Sequence, residues 1–119
     1  MARILLVDDE PLISAITEEW VADLGHAVVG PALDLASALR FAEEGGVDAA
    51  VIDVSLGRES GYPLAEALKS RGVPFVFATG YGKAGLEPHW RNRETLTKPF
   101  EFAAFRAAIE GMLAQKQRS

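Results

Sequence analysis

The feature that most constrains this chain is the alternation of short, continuous apolar runs with longer segments of helical spacing. Five short segments are predicted to be strands, at residues 4–7, 26–29, 47–54, 73–78 and 95–97. Residues 4–7 form a continuous apolar run, and residues 47–54 are interrupted only by Asp48 and Asp53. Continuous apolar runs are typical of strands buried on both faces, because a strand with one face in water alternates apolar and polar residues. Five buried strands separated by helices predict an α/β fold with a parallel sheet covered on both sides.

The segments between the runs carry signals for helix starts and ends. Pro11 lies where a first helix can begin and Gly25 where it ends, while Asp34 can cap a second helix that ends at residues 45–46. A third helix is predicted at residues 61–69. A final amphipathic helix is indicated by apolar residues at helical spacing, namely Phe102, Phe105, Ile109 and Met112.

Two stretches lack such regular patterns. Residues 80–93 contain three glycines and a proline, so any helix there is predicted to be short or irregular. Residues 115–119 are expected to be a frayed tail. Because no linker, repeat or low-complexity run divides the chain, residues 1–119 are interpreted as one domain.

The composition excludes several classes of protein. The 119 residues include no cysteine, which excludes a disulfide framework and any thiolate metal site. The formal net charge of -5 argues against binding to nucleic acid, whose phosphates repel an acidic surface. No run approaches the roughly 20 apolar residues of a membrane span, and the acids Asp8 and Asp9 come too early for a signal peptide. A cytoplasmic location, without membrane contact, is therefore expected.

Polar residues stand at the ends of four predicted strands. Asp8 and Asp9 follow the first strand, Asp53 lies near the end of the third, Thr79 follows the fourth and Lys98 follows the fifth. The carboxyl ends of parallel strands meet at one edge of a sheet, where α/β folds place their ligands. The sequence therefore predicts a pocket that holds three carboxylates, a hydroxyl and an ammonium group.

This set of groups favours phosphoryl transfer with a metal ion. Three neighbouring carboxylates repel one another, and a divalent cation removes that repulsion. Mg²⁺ prefers oxygen ligands, takes one or two carboxylates and keeps positions open for water and a phosphoryl oxygen. A carboxylate in line with the phosphoryl group can act as the nucleophile, while a lysine and a threonine bind the phosphoryl oxygens.

With these residues in this order, the chain resembles the CheY-like receiver domains of response regulators over essentially its whole length. The resemblance is carried by the apolar run before the two acids and by four further pieces: Val51-Ile52-Asp53, Gly61 eight residues later, Thr79, and Lys98-Pro99-Phe100. It implies a flavodoxin-like, doubly wound (βα)5 fold. The five-stranded parallel sheet of that fold has the strand order 2-1-3-4-5.

The resemblance also implies roles for the pocket residues. Asp53 would accept a phosphoryl group from a sensor histidine kinase or a histidine phosphotransfer protein, Lys98 would pair with that group and Thr79 would sense it. The Lys98–Pro99 peptide bond would be cis. Such a domain is not an enzyme toward other molecules, because it catalyses only its own phosphotransfer and autodephosphorylation.

The same resemblance implies a magnesium ion and an output surface. Asp9 would bind Mg²⁺ directly and Asp8 largely through water, with Asp53 and the backbone carbonyl of Ser55 completing the protein ligands. A downstream protein would bind the face formed by the fourth helix, the fifth strand and the fifth helix.

Residues 77–80, Phe-Ala-Thr-Gly, resemble the signature of a subgroup of single-domain receivers. Two positions depart from the wider family: Thr95 stands where most members have an aromatic residue, and Gly57 stands where a proline is common. The usual coupled movement of a threonine and an aromatic ring is therefore not expected. We expect Tyr81, or an ordering of residues 80–85 on phosphorylation, to replace it.

Three other functions stay open at this point. An aspartate-nucleophile phosphatase has similar chemistry, but it places an Asp-x-Asp pair after its first strand, whereas Asp8 and Asp9 are adjacent. A flavodoxin-like binding module needs a loop rich in Ser, Thr or Gly after that strand, and the acids at residues 8–10 would repel a phosphate. A pseudo-receiver, which is an interaction module without phosphorylation, is disfavoured because every acidic and basic site position is retained.

Overall fold

The computed structural model describes the backbone of residues 1–118 and the side chains of residues 1–116. Its central sheet consists of five parallel strands, which are β1 (Arg3–Val7), β2 (Ala27–Ala32), β3 (Ala49–Asp53), β6 (Phe75–Thr79) and β7 (Thr95–Thr97). The strand order β2-β1-β3-β6-β7 is the predicted order 2-1-3-4-5 when only the strands of this sheet are counted. Strands β4 (Ser55–Leu56) and β5 (Glu59–Ser60) form a separate antiparallel hairpin that was not predicted.

Four α-helices cover the sheet, and they are α1 (Pro11–Asp23), α2 (Leu35–Glu44), α3 (Tyr62–Ser70) and α4 (Phe102–Arg118). The predicted cap of α2 is present, since the Asp34 carboxylate accepts the Ser37 N–H at 2.8 Å. The fourth connection, between β6 and β7, contains two 3₁₀ turns at Gly82–Gly85 and Pro88–Trp90 instead of an α-helix. Residues 80–91 are called the turn segment below, and the prediction of irregular structure there is confirmed.

The expectation of a frayed tail from residue 115 is wrong for residues 115–118, because α4 continues to Arg118. The Lys116 ammonium pairs with the Asp48 carboxylate, which also accepts the Arg3 N–H at 2.8 Å. These bonds lower the pKa of Asp48 and tie the last turns of α4 to the start of the sheet. Ser119 lies outside the described residues.

The core consists of two layers, one on each side of the sheet. Alternate strand residues such as Leu5, Ile52 and Phe77 pack against α2 and α3. Their neighbours, such as Leu6 and Val51, pack against α1 and α4. Every residue of β3 and of β6 is buried, as the continuous apolar runs predict. Both faces of the sheet are therefore covered by helices, and its carboxyl edge is left open to a ligand.

Candidate functional site

The predicted site residues meet at the carboxyl edge of the sheet. A cavity of about 960 Å³ opens there, and it is lined by Asp9, Asp53, Ser55, Thr79 and Lys98 among others. Asp53 and Thr79 are the last residues of β3 and β6, and both are buried. The sixth predicted residue, Asp8, follows β1 and contacts Lys98.

Lys98 bridges the two buried carboxylates. Its Nζ lies 2.8 Å from Asp8 Oδ2 and 3.3 Å from Asp53 Oδ2, and Glu10 Oε1 is 3.8 Å away. The Lys98 side chain is only 14% exposed, so these charges interact with little screening by water. The backbone positions it, because the Lys98 N–H donates to the Thr79 carbonyl at 2.9 Å. The predicted cis Lys98–Pro99 peptide bond is confirmed.

Each of the three predicted metal-binding carboxylates is oriented by one backbone N–H. Asp8 Oδ1 accepts from Glu10 at 2.9 Å, and Asp53 Oδ1 accepts from Ser55 at 3.1 Å. Asp9 Oδ2 accepts from Gly57 at 2.9 Å. The other oxygen of Asp8 and of Asp53 is left to cations, and both share the Lys98 ammonium. Carboxylates held in this way suit a hard cation such as Mg²⁺.

The acidic cluster is larger than the sequence predicted. Oxygen atoms of Asp8, Asp9 and Glu10 all lie within 4.8 Å of one another, in the part of the chain that the structure describes. Glu10 was not predicted as a site residue. Its adjacency to the acid pair was visible in the sequence, but the 3.8 Å approach of its carboxylate to Lys98, 88 residues later in the chain, was not.

The electrostatics of the pocket make Asp53 unusual. Burial raises the pKa of Asp53 to about 6, the Asp8 carboxylate adds to this effect, and Lys98 partly offsets it. Burial alone would lower the pKa of Lys98, but the Asp8 and Asp53 carboxylates outweigh burial and raise it. At neutral pH Asp53 is therefore mostly ionised, although its charge is held at a cost in free energy.

Gly57 explains one departure from the family pattern. Its φ of +66° lies in the left-handed region, which a proline with φ near about -65° cannot adopt. Its N–H is also the donor that orients Asp9, and proline has none. Glycine thus allows a backbone conformation at residue 57 that proline cannot adopt, and it gives the pocket a hydrogen-bond donor. Sequence reasoning missed this role because it depends on the hairpin.

Thr79 and Thr95 have separate surroundings. Thr79 Oγ1 accepts the Tyr81 N–H at 3.2 Å, which connects the buried hydroxyl to the start of the turn segment. Thr95 is half-buried on β7, and its hydroxyl donates to the Arg93 carbonyl at 3.1 Å. Tyr81 is 83% exposed, so its ring is not packed in the place of the missing aromatic residue.

The fold and the site define the class: a flavodoxin-like α/β domain with an acidic pocket and a buried lysine at the carboxyl edge of its sheet. The profile of the response regulator receiver domain family matches residues 4–110. The chain therefore belongs to this family, whose members accept a phosphoryl group on an aspartate in two-component signalling.

Several relatives are similar over most of this chain. SdrG from Sphingomonas melonis Fr1 is 41% identical, with a TM-score of 0.84 over 95% of this chain and 97% of its own. TrrA from Thermotoga maritima, solved in complex with Mg²⁺-BeF, is 26% identical, with a TM-score of 0.83 over 95% of this chain and 100% of its own. The phyllosphere-induced regulator PhyR of Methylorubrum extorquens is 33% identical over 97% of this chain and 45% of its own length.

The chain spans about half the length of the curated relatives it matches. In residues 1–118, no helix is both long enough and apolar enough to cross a membrane.

Proposed function

We propose that residues 1–119 are a single receiver domain that accepts a phosphoryl group on Asp53 in a magnesium-dependent reaction and signals through protein contacts. The observation that carries the proposal is the position of Asp53. Its side chain is only 6% exposed, yet it lines the cavity, and its Oδ2 lies 3.3 Å from the Lys98 ammonium. A carboxylate beside a cation at the edge of an open cavity is suited to nucleophilic attack on a phosphoryl group.

In the proposed reaction, an Asp53 oxygen forms a bond to phosphorus while the bond between phosphorus and the donor breaks. For a phosphohistidine donor the leaving imidazole nitrogen keeps the bonding electron pair. The Lys98 ammonium neutralises one phosphoryl oxygen. To reach it, the ammonium needs only to move away from a carboxylate that it contacts in the unmodified pocket. The Thr79 hydroxyl donates to another phosphoryl oxygen, while its oxygen atom can still accept the Tyr81 N–H.

We assign the magnesium site to the carboxylates of Asp8, Asp9 and Asp53 with the backbone carbonyl of Ser55. The support is the orientation of each carboxylate by one N–H, which leaves a second oxygen for a cation. When bound, Mg²⁺ supplies positive charge that offsets the charge of the phosphoryl oxygens. Family membership supports the choice of this metal.

The proposed donor is a sensor histidine kinase or a histidine phosphotransfer protein. The cavity continues from Asp53 along an apolar wall that includes Ile13, Ile16 and Trp20. This apolar surface extends beyond the area that a small phosphodonor would contact, which supports a protein as the donor. The output face was predicted at the fourth helix, the fifth strand and the fifth helix, but two 3₁₀ turns stand in place of that fourth helix. The proposed output face therefore consists of the turn segment, β7 and α4.

We further propose that the turn segment replaces the usual aromatic switch. A movement of the Thr79 hydroxyl toward a phosphoryl oxygen pulls on the Tyr81 N–H that it accepts. Gly85 permits close packing at this point, because a Cβ there would lie 3.0 Å from Thr79 Oγ1 and 2.8 Å from the Tyr81 Cβ. Tyr81 itself is free to move because its ring is exposed.

The experiment that tests the proposal is intact-mass measurement after incubation with Mg²⁺ and a small acyl phosphate. We expect one phosphoryl group on the wild type, none after chelation of the metal and none on Asp53→Asn. An adduct of equal yield on Asp53→Asn would show that another residue is the acceptor. No adduct and no beryllofluoride binding on the wild type would favour the pseudo-receiver interpretation.

A further inference from the structure

Tyr62, the first residue of α3, connects two parts of the molecule that are distant in sequence. Its hydroxyl accepts the backbone N–H of Glu87 at 2.8 Å. Its ring stacks on Trp90, with the ring centroids 6.1 Å apart and the planes 6° from parallel, and it meets the edge of Phe77 at 5.6 Å. Tyr62 therefore holds the turn segment by a hydrogen bond and by ring contacts at the same time.

Most residues of the turn segment are exposed, and its other attachments are the core contacts of Leu86 and Trp90 and the bond from the Tyr81 N–H to Thr79. Only Leu86 and Trp90 are buried among residues 80–91, and both 3₁₀ turns are too short to be stable alone. The Glu87 N–H stands at the start of the second turn, where a helix leaves its N–H groups without partners of its own. The hydroxyl of Tyr62 satisfies this donor. The conformation of the second turn is thus sensitive to the position of Tyr62.

On its other side, Tyr62 follows Gly61, which packs against the end of the phosphoacceptor strand β3. The Gly61 N–H donates to the Val54 carbonyl at 2.8 Å. A Cβ at Gly61 would lie 2.5 Å from the Asp53 carbonyl oxygen and 2.6 Å from a methyl carbon of Ile52, so the chain touches β3 there without a gap. The Asp53 backbone is thus in close contact with Gly61, the residue that precedes Tyr62.

The hairpin between these two points is fastened to the pocket acids. The Ser55 N–H donates to Asp53 and the Gly57 N–H donates to Asp9. Both carboxylates are proposed to bind the metal ion through their second oxygen, and Asp53 is also proposed to accept the phosphoryl group. The hairpin therefore contacts the two carboxylates at which the charge changes, and α3 follows the hairpin in the chain.

We propose that Tyr62 is a positioning residue that couples phosphorylation of Asp53 to the turn segment, and so to the proposed output face. This inference rests on the proposed function. The first connection between the pocket and the turn segment runs from Thr79 to Tyr81. The second, which this inference adds, runs from the hairpin through Tyr62 to Glu87. The two connections enter the turn segment from opposite ends, so both are required for its full response.

The test uses Tyr62→Phe, which keeps the ring contacts and removes the hydroxyl that accepts the Glu87 N–H. Glu87→Ala is the matched control, since it removes an exposed side chain from the same contact and keeps the N–H. Amide resonances of the ¹⁵N-labelled full chain are recorded with and without Mg²⁺ and beryllofluoride. Binding is read from residues 55–61, and the response of the output face is read from residues 82–91.

In the wild type and in Glu87→Ala, we expect both groups of resonances to shift. In Tyr62→Phe, we expect the hairpin response to persist and the turn-segment response to fall to about half or less, because part of the coupling energy passes through this hydrogen bond. A full turn-segment response in Tyr62→Phe overturns the inference and leaves the proposed function intact. A wild-type chain that shows no response at residues 55–61 overturns the proposed function itself, and the inference with it.

Discussion

Lys98 stands between two carboxylates, Asp8 and Asp53, that its single charge cannot neutralise together. Burial raises the pKa of Asp53 and the Asp8 carboxylate adds to this effect, while the Lys98 ammonium, which is closer to Asp8, offsets it only in part. Without a bound cation, the pocket therefore stores unfavourable electrostatic energy at the residue proposed to be modified. A bound metal ion relieves this energy, and it also offsets the negative charge that a phosphoryl group adds.

The first prediction concerns the stability of Asp53→Asn in the absence of metal. The folded pKa of about 6 lies above the value near 3.8 of a free carboxyl group, so the folded chain binds more protons than the unfolded chain between these values. The free energy of unfolding of the wild type should thus fall as the pH rises through this window. At pH 7.5 Asp53→Asn should be more stable by about 1–2 kcal/mol, after allowance for solvent screening.

Urea unfolding with a chelator present, at pH 4 and at pH 7.5, measures this difference. Asp34→Asn is the control of opposite sign, because hydrogen bonds from Ser37 lower the pKa of Asp34 and its charge is favourable in the fold. An Asp53→Asn variant that is less stable than the wild type at pH 7.5 would contradict the electrostatic account.

The second prediction concerns Lys98→Met. Removing the ammonium leaves two buried carboxylates unpaired, which should lower the free energy of unfolding by about 1–3 kcal/mol at neutral pH. Mg²⁺ should restore more stability to this variant than to the wild type, because no lysine competes for the carboxylate oxygens. Thermal unfolding with and without Mg²⁺ tests this, with Lys83→Met on the exposed turn segment as control. Equal stabilisation of variant and wild type by Mg²⁺ would count against shared carboxylates.

The site residues that could be predicted from the sequence are those at the ends of strands. Asp53, Thr79 and Lys98 stand at or directly after strand ends, and the parallel sheet alone brings them together. The roles of Gly57 and Tyr62 were not predictable. Both depend on how an unpredicted hairpin folds, and its two-residue strands give no periodic signal.

At the scale of elements, the hairpin and the turn segment were harder to predict from the sequence than the regular strands and helices. The strands and helices were predicted because apolar periodicity reports burial, whereas the order of the strands in the sheet came from the resemblance to receiver domains. Strand β2 extends to Ala32, beyond the predicted end at residue 29, since Gly30 and Pro31 interrupt the apolar pattern without ending the pairing with β1. The continuation of α4 to Arg118 was missed because the contact of Lys116 with Asp48 is remote in sequence.

The third prediction tests the close contact between the hairpin end and β3. In Gly61→Ala the new Cβ meets the Asp53 carbonyl oxygen at 2.5 Å, so the free energy of unfolding should fall by about 1–3 kcal/mol. The matched control is Gly111→Ala in α4, where nothing lies within 4 Å of a Cβ. That helical substitution should instead stabilise by about 0.5–1 kcal/mol. Two urea titrations measure both values, and equal signs for the two variants would contradict the packing described.

At the scale of the whole molecule, ligand binding and folding share one free energy. Any ligand that binds only the folded chain stabilises it in proportion to the logarithm of its concentration over its Kd. Because the proposed ligands of Mg²⁺ and of the phosphoryl group come from the ends of β1, β3, β6 and β7, binding at the pocket should stabilise the entire sheet.

The fourth prediction follows from this linkage. With Mg²⁺ and beryllofluoride at about 100 times the Kd, the wild type should gain about 2.7 kcal/mol of unfolding free energy. Asp53→Asn should gain no more than Mg²⁺ alone provides. Thermal unfolding of both proteins under these conditions is the measurement, and an equal gain in Asp53→Asn would place the binding elsewhere.

The measurement that most directly tests the central claim is the mapping of the phosphorylated residue. The chain is phosphorylated with Mg²⁺ and an acyl phosphate, treated with borohydride and digested for mass spectrometry, so that an aspartyl phosphate is converted to homoserine. The account predicts homoserine at position 53 and at no other aspartate. Homoserine at Asp8 or Asp9 with Asp53 unchanged would contradict the account, because the nucleophile would then lie on the loop after β1.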